Sequence, residues 1–262
     1  MVESANVWIA SEARGEIAPT EVHIWRIGLA RPEIDIRWHR EFLSPMEIER
    51  AERYYFDRDR NRFILARGVL RQLLGAYLHL APRVIDFVYG AQGKPDVVAS
   101  QNPSRLRFNL SHSGELALFA VSLNLELGID VEQIKPDFAG LEIATRFFSP
   151  EECAKLKALP PDERVDAFFN CWTRKEAYIK ARGEGLSIPL DSFEVAFAPG
   201  EEPALLQVKT GNDRPSQWRF HALHLGHRYK AALAVEGNDH ELRLLEWNPN
   251  HTTDLQTLPK TL

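Results

Sequence analysis

Apolar and polar positions along the 262-residue chain fall into two successive runs of the same kind. In the first, Leu43-Ser44-Pro45-Met46-Glu47 carries a Ser able to cap a helix, a Pro at the first helical position and a Glu reaching back from the third, the capping-box pattern. Phe148-Ser149-Pro150-Glu151-Glu152 repeats it at an offset of 105, so both stretches start helices. Long helical stretches follow, Arg62 to Gly75 and Phe168 to Gly183, with Arg67 matched by Arg174 and Gly75 by Gly183 at offsets of 107 and 108. Phe108-Asn109-Leu110-Ser111-His112-Ser113-Gly114 is answered by Phe220-His221-Ala222-Leu223-His224-Leu225-Gly226 at an offset of 112, and each precedes an apolar strand, Leu116 to Ser122 and Lys230 to Val235. Slowly growing offsets are what short loop insertions leave after a duplication. The pattern predicts an α+β fold of two similar, pseudo-symmetric halves, 20–125 and 126–240, each a small, mostly antiparallel sheet packed with one long helix. The joint near Leu125 to Gly128 has no Pro- or Ser-rich linker, so the halves are expected to pack closely, with a site between them. Residues 1–19 and 241–262 show neither period and are expected to be peripheral tails.

Composition narrows the function classes. Hydrophobic residues make up 44% of the chain and charged ones 26%, which predicts a packed core. The net charge of −5, from 32 Lys+Arg against 37 Asp+Glu, argues against a whole-chain footprint for nucleic acid or an anionic membrane. It leaves room for a local basic patch that holds a small anion. The longest strictly apolar run is six residues, Leu116 to Val121, far short of the ~18 to 20 needed to span a bilayer. The start, with Glu3 and no basic region, does not read as a signal peptide, and a cytoplasmic location is expected. Cys153 and Cys171 are too few for a disulfide framework and read as small buried hydrophobes.

The candidate chemistry begins with Gly128-Ile129-Asp130-Val131-Glu132, a strand pattern that places Asp130 and Glu132 on one face. Such a pair suits a divalent cation once a third ligand joins it; alone it equally fits the solvent face of an edge strand. With the second long helix turning about 100° per residue, Phe168, Phe169, Trp172 and Ile179 span an arc of roughly 100°, and Glu176 falls inside it. Lys175 lies in the arc too, and Lys180 follows Glu176 by one turn. A charge carried toward a core needs a metal or a counter-charge.

Phe108 to Gly114 reads as a turn between strands, offering amides, hydroxyls and an imidazole to an anion. The adjacent Ser111 and His112 lack a G-x-S-x-G elbow, which argues against a nucleophile. Gly90 to Pro95 is a turn carrying Lys94. Arg50, Arg53, Arg58, Arg60, Arg62, Arg67 and Arg71 are interleaved with Glu52, Asp57 and Asp59, as on a solvated helix face from which a few could clamp phosphates. His221, His224 and His227, three apart on a strand, split between its faces and read as structural rather than as zinc ligands.

Taken together, Phe108-Asn109-Leu110-Ser111-His112-Ser113-Gly114, Gly128-Ile129-Asp130-Val131-Glu132, Phe147-Phe148-Ser149 and Trp172-Thr173-Arg174-Lys175-Glu176-Ala177-Tyr178-Ile179-Lys180 resemble the signature of the Sfp-type phosphopantetheinyl transferases. Gly183-Glu184-Gly185-Leu186-Ser187 and Pro189-Leu190-Asp191-Ser192-Phe193 also match, and the resemblance runs from about Ser44 to Val235. It implies transfer of the 4'-phosphopantetheine arm of coenzyme A to a serine of an acyl or peptidyl carrier domain, turning apo carrier into holo and releasing adenosine 3',5'-bisphosphate. By position, Asp130, Glu132 and Glu176 match magnesium ligands, with manganese possible because both ions accept oxygen ligands. Ser111 and His112 match residues holding the nucleotide phosphates, and Lys94 and Lys180 match lysines that contact the coenzyme, which Asp130 and Glu176 also face. Arg50 and Arg62 fall at basic positions near the nucleotide, while Glu47 stands where some relatives carry a basic residue.

The catalytic set implied is Asp130, Glu176 and Lys180. Glu176, directly or through a metal-bound water, takes the serine proton, and Lys180 stabilises or protonates the leaving phosphate. A monomer is expected, with neither nucleic acid nor membrane as partner. The alternatives are a non-catalytic module that grips coenzyme A or a carrier, and magnesium-dependent phosphodiester hydrolysis at the same cage.

Overall fold

Ser44 and Ser149 each accept the backbone amide of the glutamate three residues on, and Glu47 and Glu152 each accept the cap amide in return. Both predicted capping boxes therefore form, and both glutamates are then drawn into the interior. The computed structural model, which describes residues 7–11, 15–135 and 140–249, builds outward from these two helix starts. In chain order the elements are β1 (Ile9–Ser11), β2 (Glu21–Gly28), α1 (Ile36–Arg40), α2 (Pro45–Glu52), α3 (Asp57–Leu78), β3 (Phe87–Tyr89), β4 (Pro95–Val97), β5 (Leu106–Ser113) and β6 (Leu116–Leu123). They continue as β7 (Leu127–Gln133), α4 (Gly140–Phe147), α5 (Pro150–Ala158), α6 (Pro161–Arg182), β8 (Phe193–Val195), β9 (Leu205–Val208), β10 (Trp218–Ala222), β11 (Tyr229–Glu236) and β12 (Glu241–Trp247). From β2 to β6 and again from β7 to β11 the order is strand, three helices, a small hairpin and two strands, with a 22-residue helix third in each set.

The two sheets repeat as well. One contains the antiparallel run β2-β6-β5, and the other is β7-β11-β10 in the same relative order. The α3 helix buries Leu65, Val69 and Leu73 against Trp25 and Phe119, while α6 buries Phe168, Tyr178 and Ile179 with Phe193 and Phe220. Between them, Val22, Ile24, Leu118 and Ala120 of the first sheet pack on Ile129, Val131 and Leu233 of the second, a shared apolar core that holds the sheets together.

Three expectations are corrected. Residues 241–247 are not a peripheral tail: β12 lies between β1 and β2, parallel to both, and Trp247 is buried in the core under α3. The strand pairs with residues more than 200 positions upstream, so no local pattern marks it. Residues 9–11, also assigned to a tail, form β1, and Trp8 and Ile17 pack against the core; 1–6, 12–14 and 250–262 lie outside the described residues. Finally, Phe108 to Ser113 is strand, and the turn is confined to Gly114 and Glu115. Gly114 takes φ +58°, a left-handed conformation that glycine adopts without strain.

Candidate active site

The site forms where α6 crosses β7. Gly128 allows the approach: a Cβ on it would stand 2.1 Å from the Ala177 carbonyl oxygen and 2.2 Å from the Ala181 amide nitrogen. With the helix backbone so close, Glu176 and Lys180, one turn apart, reach Asp130 and Glu132 on the strand. The Lys180 ammonium lies 2.6 Å from Asp130 Oδ1 and 3.1 Å from Ser111 Oγ. Ser111 in turn donates to Asp130 Oδ1 at 2.9 Å and accepts the Val131 amide at 3.3 Å.

The carboxylates act on one another. Burial and the charges of Asp130 and Glu132 push the Glu176 carboxyl up to about 7, against the pull of Lys180. Glu132 is raised by burial and by Asp130, against a hydrogen bond from Ser113. Asp130 is 2% exposed, and its Oδ2 is buried with no hydrogen-bond partner. An orphaned oxygen on a carboxylate that repels two further acids fits a hard, oxygen-loving cation in its donor chemistry. Among the described residues, however, no three His, Cys, Asp or Glu side chains are already drawn round one point at ligating distance. The acids are convergent but not closed, and Lys180 occupies one of their oxygens.

Consecutive strand residues point to opposite faces, so His112 leaves Ser111's face and opens onto a cleft bordered by Arg50, Arg62 and Arg67. One part, about 220 Å³, has Arg50, Arg67, Tyr89 and His112 in its lining, together with Glu47, which pairs with Arg67. An adjoining part of about 200 Å³ has Tyr54, Phe63 and His112 in its lining, with Arg62 and Asp59 3.9 Å apart. Partial loss of water and the positive charges of Lys180 and Arg50 lower the His112 pKa, leaving a neutral imidazole at pH 7. Arg50 lies over the Phe63 ring, 5.3 Å from its centroid. Arg62 pairs with Glu115 at 3.4 Å and keeps a buried Nε without a hydrogen-bond partner.

The structure thus brings Asp130, Glu132, Glu176, Lys180 and Ser111 into one cluster and Arg50, Arg62 and His112 into the neighbouring cleft. Lys94 goes elsewhere: its ammonium donates to the Ala181 carbonyl at 2.9 Å and the Leu127 carbonyl at 3.3 Å, and burial lowers its pKa. Glu47 is 5% exposed and bound by Arg67 and by Arg71, the latter at 2.7 Å, so its charge is neutralised within the fold. Its counterpart Glu152 receives Lys175 at 2.8 Å. Lys175, not Glu176, is therefore the charge that enters the core, at 0% exposure, while Glu176 sits half-buried at the seam. His221 meets His240, with their Nε2 atoms 2.9 Å apart. Sequence reasoning missed Asn109 and Ser113, whose side chains bond the Ile129 and Gln133 amides. The period-two polarity of Asn109, Ser111 and Ser113 was the signal for them.

Comparison with known proteins places the chain in a family. The sequence profile of the 4'-phosphopantetheinyl transferase superfamily matches residues 126–234, and that of the 4'-phosphopantetheinyl transferase N-terminal region matches residues 33–124. The 4'-phosphopantetheinyl transferase HetI of Nostoc sp. is 39% identical over 232 residues, 88% of this chain and 94% of its own. The 4'-phosphopantetheinyl transferase Sfp of Bacillus subtilis is 38% identical over 154 residues, 59% of this chain and 66% of its own. Among solved structures, the holo-[acyl-carrier-protein] synthase of Thermotoga maritima aligns at 22% identity with a TM-score of 0.34, over 43% of this chain and 63% of that one. With its N- and C-terminal regions both matched by profiles of one family, and with a relative aligned along nearly its whole length, the chain belongs to the 4'-phosphopantetheinyl transferase superfamily.

Proposed function

We propose that the protein transfers the 4'-phosphopantetheine arm of coenzyme A to a serine of an acyl or peptidyl carrier domain, releasing adenosine 3',5'-bisphosphate. The observation that carries this reading is the adjacency on β5 of His112, which lines the Arg50 cleft, and Ser111, which donates to Asp130 and accepts from Lys180, so that anion-binding groups stand one residue from the acids. Arg50, Arg62 and His112 hold the nucleotide phosphates in the cleft; an incoming phosphate favours protonation of His112, which then donates with charge assistance.

Magnesium, or manganese in its place, held by Asp130, Glu132 and Glu176 would offset the pyrophosphate charge that otherwise repels the attacking oxygen. Glu176 accepts the proton of the carrier serine as its oxygen attacks the β-phosphorus. Lys180, whose ammonium would be free of Asp130 where that carboxylate held the cation, neutralises the leaving phosphate. Ser111, with the Asp130 carboxylate, the Val131 amide and Lys180 around it, orients these groups. Lys94 fixes the end of α6 against the start of β7.

The reaction calls for neither nucleic acid nor membrane, and we assign it to a cytoplasmic monomer. Intact-mass measurement of an apo carrier incubated with the protein, coenzyme A and magnesium tests the reading. A gain of one phosphopantetheine that EDTA suppresses supports it. An unchanged carrier with free phosphopantetheine would mean hydrolysis, and an unchanged carrier with intact, bound coenzyme A would mean a binding module.

A further inference from the structure

β5 and β7 lie side by side but belong to different sheets, and their junction is made by side chains. Asn109 Oδ1 accepts the amide of Ile129 at 2.9 Å, Ser111 Oγ that of Val131 at 3.3 Å and Ser113 Oγ that of Gln133 at 3.0 Å. The acceptors are two residues apart on one strand and the amides two apart on the other, so the pleats of the two strands stay in step. Two of the rungs have a second end. Ser111 donates to Asp130 Oδ1 at 2.9 Å, and Ser113 donates to Glu132 Oε2 at 2.8 Å.

A hydroxyl has one proton to give and lone pairs to accept with, and an amide can only donate. The direction of each bond is therefore fixed: the serine takes the amide of one residue and gives its proton to the carboxylate of the residue before. A junction that served only to seal two strand edges needs the first of these bonds and not the second, as Asn109 illustrates. The second bond is present only where β7 carries an acid.

We propose that Ser113 is a positioning residue that sets the Glu132 carboxylate for the divalent cation, with Ser111 doing the same for Asp130. The proposal rests on the assignment of Asp130, Glu132 and Glu176 as cation ligands. Groups that orient metal ligands change metal affinity or activity by roughly 10- to 100-fold when removed.

The test uses the full chain without coenzyme A. Mn²⁺ binding is followed by electron paramagnetic resonance, and hydrogen exchange is read at the Gln133 amide, for wild type, Ser113→Ala, Ser113→Thr and Asn109→Ala. For Ser113→Ala we expect Mn²⁺ affinity about 10-fold weaker and faster exchange at Gln133, with Ser113→Thr restoring both because it keeps the hydroxyl. Asn109→Ala removes a rung that has no carboxylate and should weaken Mn²⁺ several-fold less. Faster exchange at Gln133 in Ser113→Ala with wild-type Mn²⁺ affinity would reduce Ser113 to a structural rung and overturn the proposal. A wild-type protein that binds no Mn²⁺ would overturn the cation assignment itself and this role with it.

Discussion

Gly128→Ala places one methyl group where the fold has no room for it. The new Cβ would stand 2.1 Å from the Ala177 carbonyl oxygen, whereas ordinary contact begins near 3.4 Å. The obstacle is helix backbone, so no side-chain rotation relieves it, and α6 must lift from β7 by about 1 Å. Overpacking of this kind costs about 1–3 kcal/mol of stability. The same shift moves Glu176 and Lys180 away from Asp130, now met by Lys180 at 2.6 Å, and a misplacement of about 1 Å can lower catalysis on the order of 100-fold. Gly90→Ala is the control, because its Cβ would meet nothing nearer than 3.7 Å. The assay pairs a melting curve with kcat for carrier modification. We expect Gly128→Ala to remain folded with a lower Tm and a kcat reduced ~100-fold, and Gly90→Ala to resemble wild type. Wild-type Tm and kcat in Gly128→Ala would refute the close approach of α6 as what assembles the site.

Three further outcomes follow from the titratable side chains. Glu47 is held below its ordinary pKa by Arg67 and Arg71 despite its burial, so it stabilises the fold above the unfolded carboxyl pKa and that contribution is lost as pH falls through the lower, folded value. Glu47→Gln should cost about 3–5 kcal/mol at pH 7 and flatten the acid limb of the stability curve, measured by urea unfolding from pH 3 to 7. Glu176 behaves oppositely: raised from 4.5 to about 7, it binds its proton more tightly when folded, so in EDTA the Tm should decline as pH rises through that range, and Glu176→Gln should remove the decline. His112→Ala should raise the Kd for coenzyme A in calorimetry, about 10-fold for one lost charge-assisted contact, with little change in Tm.

The parts of this architecture that were legible in the sequence are those set by local rules. Ser44 with Glu47 and Ser149 with Glu152 announce helix starts because a capping box closes within four residues. Asp130 and Glu132 share a face because a strand has period two, and Glu176 with Lys180 share one because a helix has period 3.6. What stayed hidden depends on distant partners. Whether Lys175 or Glu176 enters the core is decided by Glu152, on another helix, and β12 has no local mark because its neighbours are β1 and β2. Ser111 and Ser113 could equally have faced a ligand, and only the placement of β7 beside β5 turns them toward its amides and acids. Lys94 is diverted for the same reason, by carbonyls of α6 and β7.

The most direct test of the central claim is a single-turnover comparison of wild type and Glu176→Gln, with coenzyme A, magnesium and an apo carrier, read by intact mass. The seam of Asp130, Glu132, Glu176 and Lys180 predicts that the wild-type protein adds one phosphopantetheine per carrier, while Glu176→Gln, folded and still binding coenzyme A, leaves the carrier unmodified on the same time scale. Equal rates of carrier modification by the two proteins would contradict it.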